Sequence, residues 1–444
     1  MRVLVVGSSY APEEIGIAPY TSGLAEHLVA RGDEVTVVTG MPSYPEWRVR
    51  PEYRGRWYSR ELRGGVEVRR VRGFVSPRQG LLQRGLYEAS FLLGGLAALA
   101  VPRPDVVLGV VPALGGGVVA RMVARRFGVA YALIFQDLIG PAASQSGVHN
   151  GGLAAGPVAA AEGWAARGAV AVGVIADGFR PYLESLGVEP RRILRVRNWT
   201  HVDDPRLDRA TVRRRLDLPQ DAVICLHAGN MGHKQGLANI VECARLAVEA
   251  DPWLLFVLMG DGSERAQLVD LARRYRLRNL RFLPLQPVEL FPSVLAAADM
   301  LLVNQRAAVT NMSLPGKLTS YLASGRPVVA AVSPDSETAR EIRDTGTGVL
   351  APPDRPEALL EAINGLAGDP AEQERLGTAG RWYAQTALSA DQALAGLEAL
   401  VEGAGRRQDR RRGSRAGGAP GSRLDAGARQ ARGPHRADEP RHAD

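Results

Sequence analysis

Short apolar runs alternate with helical periodicity from the N-terminus to about residue 400. Val3 to Val6, Glu34 to Val38, Val66 to Val71, Val106 to Val110 and Ala130 to Phe135 read as short buried strands. Apolar positions recur every three to four residues from Tyr20 to Arg31 and from Gly117 to Phe127, which predicts helices between them. The alternation begins again with strands at Ala222 to His227, Leu254 to Met259, Leu280 to Phe282, Met300 to Val303 and Pro327 to Ala331. Helices are expected at Leu237 to Glu249 and Lys317 to Ser324. Such alternation implies parallel sheets covered on both faces, and hence an α/β chain of two doubly wound, Rossmann-like domains. In open parallel sheets ligands sit beyond the carboxyl ends of the strands, so both domains should turn their post-strand loops to a shared cleft.

Polar, proline-containing Asn198 to Arg206 is the expected linker, which divides the chain into domains at 1–200 and 201–380. A last helical pattern at 381–402 is expected to pack back toward the first domain. From Gly403 the sequence is Arg, Gly, Ala, Asp and Pro without period, so 403–444 is expected to be a disordered tail.

Composition narrows the class. With 444 residues, 45% of them hydrophobic, the chain has material for a sizeable core. Cys225 and Cys243 lie in no CxxC or Cys/His cluster and read as reduced core residues. The apolar run at the N-terminus is too short for a signal peptide, and Ala89 to Val101, broken by Gly94 and Gly95, falls short of the ~20 residues a spanning helix needs. A cytoplasmic protein is the expectation. His149, His201 and His233 lack metal-ligand spacing, so no metal site is expected.

The net charge of +8 would suggest nucleic acid, yet of 55 basic residues only Lys234 and Lys317 are lysines. A position that stays lysine in an arginine-rich chain invites a chemical reason, because an ammonium is a compact point charge and a guanidinium a broad fork. Lys234 closes the run Ala228-Gly229-Asn230-Met231-Gly232-His233-Lys234, which follows a predicted strand and opens a helix. Glycines there admit backbone N–H groups to a phosphate, and the helix terminus adds positive partial charge. The spacing is neither GxGxxG nor the Walker pattern. Lys317 opens another helix behind Ser313, Pro315 and Gly316. Convergence of both lysines on one diphosphate accounts for the two together; an ordinary glycine turn carrying a solvent lysine is the plainer alternative.

Lys234-Gln235-Gly236-Leu237, Met259-Gly260-Asp261-Gly262, Phe282-Leu283-Pro284, Ala298-Asp299 and Tyr321 to Val328 together resemble the donor domain of GT-B retaining glycosyltransferases of family four. Tyr10 to Tyr20, Tyr44-Pro45 and Gln136-Asp137-Leu138 resemble the branch of that family with colanic acid and O-antigen fucosaminyltransferase-like enzymes. The resemblance implies a GT-B fold, a nucleotide-sugar donor, a polyprenyl-linked or saccharide acceptor, retention, and no cofactor or obligatory metal. Lys234 would neutralise the diphosphate leaving group, with Gly229 and Asn230 beside it. Gly16 and Ile17 would lie against the donor from across the cleft. Gly260, Asp261 and Gly262 would line the cleft, and Leu283, Pro284 and Leu285 would read the base. Ser313, Gly316 and Lys317 would assist at the phosphates.

One departure stands out. Many members of the family carry two glutamates eight positions apart, and alignment on Ala323 to Pro327 puts Met312 and Ser320 in their places, leaving Ser320 only a weak bond to a ribose hydroxyl. In the first domain Asp137 follows a strand and is the candidate to orient or deprotonate the acceptor, a structural carboxylate being the alternative. Glu13, Glu14 and Tyr44 are the expected acceptor contacts. The donor sugar is expected to be an N-acetylhexosamine or deoxy-aminosugar on UDP, used in surface polysaccharide synthesis.

Trp47 to Arg84 interleaves aromatic rings with arginines and runs into apolar Leu86 to Val101, a composition suited to an anionic headgroup layer. Peripheral attachment to the inner face of the plasma membrane is therefore expected. A sugar-nucleotide epimerase shares the architecture, and a basic binding protein using the arginine face and tail is the non-enzymatic alternative, which leaves both lysine loops unexplained.

Overall fold

The computed structural model describes residues 1–78, 80–112, 114–138, 151–310 and 314–416. Two sheets carry the architecture. The first has the order β3-β4-β2-β1-β5-β6-β7-β8, and every pairing in it is parallel except that of β3 with β4. Its strands are β1 (Arg2–Val6), β2 (Glu34–Gly40), β3 (Tyr58–Arg63), β4 (Val66–Val71), β5 (Val106–Val111), β6 (Ala130–Phe135), β7 (Ala171–Val174) and β8 (Ile193–Arg195). The helices α1 (Ala18–Ala30), α2 (Leu81–Gly95), α3 (Leu114–Phe127), α4 (Gly151–Gly168) and α5 (Arg180–Ser185) connect and cover them.

The second sheet is wholly parallel, with the order β11-β10-β9-β12-β13-β14. It comprises β9 (Val223–Ala228), β10 (Leu254–Met259), β11 (Leu280–Leu283), β12 (Met300–Asn304), β13 (Val328–Ala331) and β14 (Gly348–Ala351). Around it lie α6 (Arg209–Arg215), α7 (Ala238–Ala250), α8 (Arg265–Arg274), α9 (Phe291–Ala297), α10 (Lys317–Ala323), α11 (Glu337–Thr345), α12 (Pro356–Ala367) and α13 (Pro370–Thr386). The central strands read as unbroken apolar runs because both their faces are buried: all six residues of β5 and of β10 are inside.

The sequence expectation missed β3, β7, β8 and β14, which are short or polar. In β3 only Ser59 is fully buried, as suits an antiparallel edge strand with one face in water.

The C-terminal segment differs from the expected single helix. It breaks between α13 and α14 (Ala390–Ala416), and α14 continues past Gly403, where a disordered tail was expected to begin. The reason is tertiary. Ala393, Leu397, Leu400, Val401 and Ala404 are buried against the first sheet, so the apolar face of the helix runs one residue past Gly403 before it leaves the core. Glu398 and Glu402 pair with Arg31 of α1 at 2.5 and 2.7 Å, tying the C-terminal helix to the first domain. Residues 417–444 of the expected tail lie outside the described residues.

Among the described residues no helix is long and apolar enough to cross a membrane. Cys225 and Cys243 are buried free thiols.

Candidate active site

The site is built at the carboxyl ends of β9 and β10. Gly229 (φ 123°), Gly260 (φ 142°) and Gly262 (φ 156°) adopt backbone conformations that disfavour any side chain. A Cβ at Gly260 would lie 1.9 Å from the Gly229 carbonyl oxygen, so the two post-strand loops touch where they cross. The Gly229 amide donates to Met259 O (2.8 Å) and the Met231 amide to Asp261 O (2.8 Å). These glycines therefore serve close loop packing, and the Gly229 N–H is committed within the protein rather than free for a phosphate.

Lys234 occupies a single 3-10 turn, His233–Gln235, closed by Gly236 at φ 54°. The turn is fixed from β12. Asn304 Nδ2 donates to Gln235 O and Gly236 O at 2.7 and 3.0 Å, Arg306 Nε donates to His233 O at 2.8 Å, and the Arg306 amide donates to Lys234 O. Glu264 of the neighbouring loop meets His233 Nδ1 at 3.0 Å. Asn304 and Arg306 are thus the supports that sequence reading missed, and no local signal marks them.

Lys317 and Tyr321 stand one turn apart on α10 and hold the end of β9 together. The Tyr321 hydroxyl accepts from the Ala228 amide at 2.7 Å and reaches Ala228 O at 3.2 Å, while Lys317 Nζ lies 3.0 Å from His227 Nε2. A Cβ on Gly229 would come within 3.6 Å of that Nζ, so the second lysine does reach the glycine turn that the first one closes. Burial pulls the Lys317 ammonium down to about 7. Burial, and then Lys317 itself, hold His227 well below its ordinary value.

Across the cleft, Asp137 follows β6. Burial pushes its carboxyl up to about 6, against the pull of Lys234 from the other domain and of Arg84. Tyr44 lies close enough to Asp137 and Glu13 for both to raise its hydroxyl further, burial being the main cause. The Tyr44 ring would contact a Cβ on Gly16 at 3.2 Å, which explains the glycine (φ 74°) at that loop tip. Trp47 meets Tyr44 edge-on at 5.9 Å and Tyr87 of α2 at 5.6 Å, so an aromatic row leads from the cleft to α2. Glu13 is buried, and its Oε1 accepts from the amides of Ser43 and Tyr44 at 2.8 and 2.9 Å. That oxygen shapes the loop that presents Tyr44.

The remaining expected residues are less engaged. Glu14, Asp261, Pro284 and Gly316 are exposed and Ser320 half-buried; Leu283 accepts the Gly260 amide, and Leu285 is exposed at the rim. Ile17 packs against the first core at the start of α1. Ser313 and Met312 lie outside the described residues. Asp299 accepts from the Ile224 amide and pairs with Arg213 and Arg209, each at 2.7 Å, so this motif residue is structural.

Residues 16–199 match the glycosyl transferase 4-like domain, and residues 208–382 match the glycosyl transferases group 1 family. The putative colanic acid biosynthesis glycosyl transferase WcaI of Escherichia coli is 33% identical over 411 residues, spanning 89% of this chain and 98% of that protein. The chain belongs to glycosyltransferase family four. Its GT-B architecture is shared with sucrose-phosphate synthase of Thermosynechococcus elongatus (TM-score 0.70, 19% identity, 93% of this chain and 99% of that one). HepE of Anabaena, solved with UDP-glucose, is another neighbour (TM-score 0.64, 16% identity, 90% and 99%). Lys234 and Asp137, one from each domain, border the same cleft.

Proposed function

We propose that this glycosyltransferase moves an N-acetylhexosamine or deoxy-aminosugar from UDP to a lipid-linked or saccharide acceptor, with retention, in surface or exopolysaccharide assembly. The observation that carries the reading is the opposition of Asp137 and Lys234 across the cleft, with Lys317 beside the Gly229 turn. Kinship with a colanic acid transferase supports the pathway, and a neighbour solved with UDP-glucose supports the donor class.

The acceptor hydroxyl oxygen bonds to the anomeric carbon as the bond from that carbon to the diphosphate breaks. Lys234 and Lys317 balance the charge that grows on the departing diphosphate, supplying what a divalent cation would otherwise supply. The hydroxyl proton passes to the departing phosphate oxygen, which keeps attack and departure on one face of the sugar. Asp137 orients the hydroxyl.

The membrane face follows from α2. Leu82, Leu86, Ala89 and Leu93 recur at helical spacing and are all exposed, the first and last at 70% and 69%. Exposed Arg78 and Arg84 stand beside them, with Phe74 and an Arg72–Trp57 stack at 5.1 Å nearby. The other side of the same helix carries Tyr87 toward the aromatic row and the cleft. A leaflet under α2 would therefore deliver a polyprenyl-linked acceptor to Asp137.

Donor screening tests the reading. A UDP-amino sugar is expected to stabilise the protein in proportion to ln(1 + [L]/Kd) and to be turned over with a polyprenyl-linked acceptor. Lys234→Ala should cut kcat by about a thousandfold while leaving the melting temperature unchanged. Activity within about threefold of wild type would overturn the diphosphate assignment, and isomerised donor without acceptor would favour an epimerase.

A further inference from the structure

The contact between Lys317 and His227 is unusual in what it lacks. Two nitrogen bases meet at 3.0 Å, and such an approach is attractive only when one of them donates and the other offers a lone pair. His227 is wholly buried and neutral, and a charged Lys317 can only donate, so Nε2 accepts whenever the ammonium carries its third proton. Among the described residues neither group pairs with a carboxylate; burial is the main influence on each, and Lys317 adds to it at His227. The remaining titratable group on this face of α10 is Tyr321, whose hydroxyl stays protonated, pushed up by burial and bonded to Ala228. Lys317 is therefore held in place by a partner that gives it no counter-charge, beside a glycine turn open to a ligand.

A carboxylate at position 227 would hold Lys317 equally well, but it would neutralise the ammonium permanently and repel an anion. An apolar residue would leave the long side chain unaimed. A neutral histidine does neither. It fixes Nζ by one hydrogen bond and leaves the compensating charge to be brought by whatever binds at Gly229.

We propose that His227 is a positioning residue that makes donor capture proton-coupled: it holds Lys317 at the Gly229 turn without a counter-charge, and the arriving diphosphate draws a proton from solvent onto Lys317. This deepens the donor reading above and rests on it. Below neutral pH Lys317 is already charged and no proton moves. As pH rises through neutrality the uptake approaches one proton, and donor affinity falls by about tenfold from pH 6 to pH 8.

Calorimetric titration of UDP-, GDP- and dTDP-hexoses tests this, because their esterified diphosphates have no ionisation near neutrality. Buffers of different ionisation enthalpy at pH 6 and pH 8 report the protons exchanged. The expected result is uptake near one proton at pH 8 and little at pH 6, retained in Asp137→Asn, which removes the carboxyl raised to about 6 across the cleft. Lys317→Met should abolish the uptake. His227→Asn, still a neutral acceptor, should keep it, and His227→Asp should lose it together with donor affinity. Binding without a buffer-dependent enthalpy, or equal uptake in Lys317→Met, overturns the proposal even if the position-227 variants do not fold. Failure of every nucleotide sugar to bind overturns the donor reading instead.

Discussion

The charge of Lys234 in the second domain is felt at Asp137 in the first, where it opposes the upward push of burial on the carboxyl. A carboxylate and an ammonium on opposite sides of one cleft fit the proposed transfer, in which one orients the incoming hydroxyl and the other receives the outgoing charge. The loops behind them are fixed independently, by Asn304 and Arg306 behind Lys234 and by the reciprocal Gln136–Asn198 side-chain bonds next to Asp137.

Asp137 should set the acid limb of the pH–rate profile. Its carboxyl is pushed up to about 6, so kcat/KM for the acceptor, at saturating donor, is expected to rise with pH through that value and level off above it. Asp137→Asn should flatten the limb and lower kcat by about 10²-fold. The stability effect has the opposite sign. A carboxyl raised in the folded state destabilises progressively as pH climbs from about 4 to about 6 and the native state loses its extra proton, so Asp137→Asn should melt higher than wild type at pH 8 but not at pH 4. Thermal melts at the two pH values check this.

Asp299 should be structural in function as in geometry. Replacing it with Asn leaves the fully buried Arg213 guanidinium without its charge partner and weakens the acceptor for the Ile224 amide. Breaking a buried pair from one side costs about 3–5 kcal/mol, which urea denaturation would read directly. The kcat of the folded fraction should stay near that of wild type.

The outer stripe of α2 should matter only at a membrane. Changing Leu82, Leu86 and Leu93 together to Gln removes exposed apolar surface and no internal packing, so thermal stability and turnover of a water-soluble acceptor are expected to hold. Sedimentation with anionic vesicles should weaken at least tenfold. Unchanged, or salt-independent, vesicle binding would sink the membrane assignment.

Much of this was legible along the chain because it is local. Five apolar runs, a polar break and a second set of apolar runs lead to two parallel sheets, and β4, β6 and β10 fall where the pattern puts them. The two lysines stood out through scarcity, and glycines after strands marked the loops that cross near them. Edge strands β3 and β14 were hidden because an edge needs little apolar sequence, and the run of α14 past Gly403 was hidden because Ala404 finds its partner surface only in the folded chain.

The sequence by itself determined the alternation of strand and helix, the family, and which residue types were at hand at each strand end, since these follow from short-range periodicity and motif. Only the tertiary structure decided that the Gly229 and Gly260 loops grip each other, that Glu13 holds a loop, and that His227, silent in any motif, faces Lys317. The physical reason is that charge and hydrogen bonding act through space. Positions 227 and 317, or 137 and 234, share no sequence neighbourhood, and it is the meeting of β9 with α10, and of one domain with the other, that sets the environment each group titrates in.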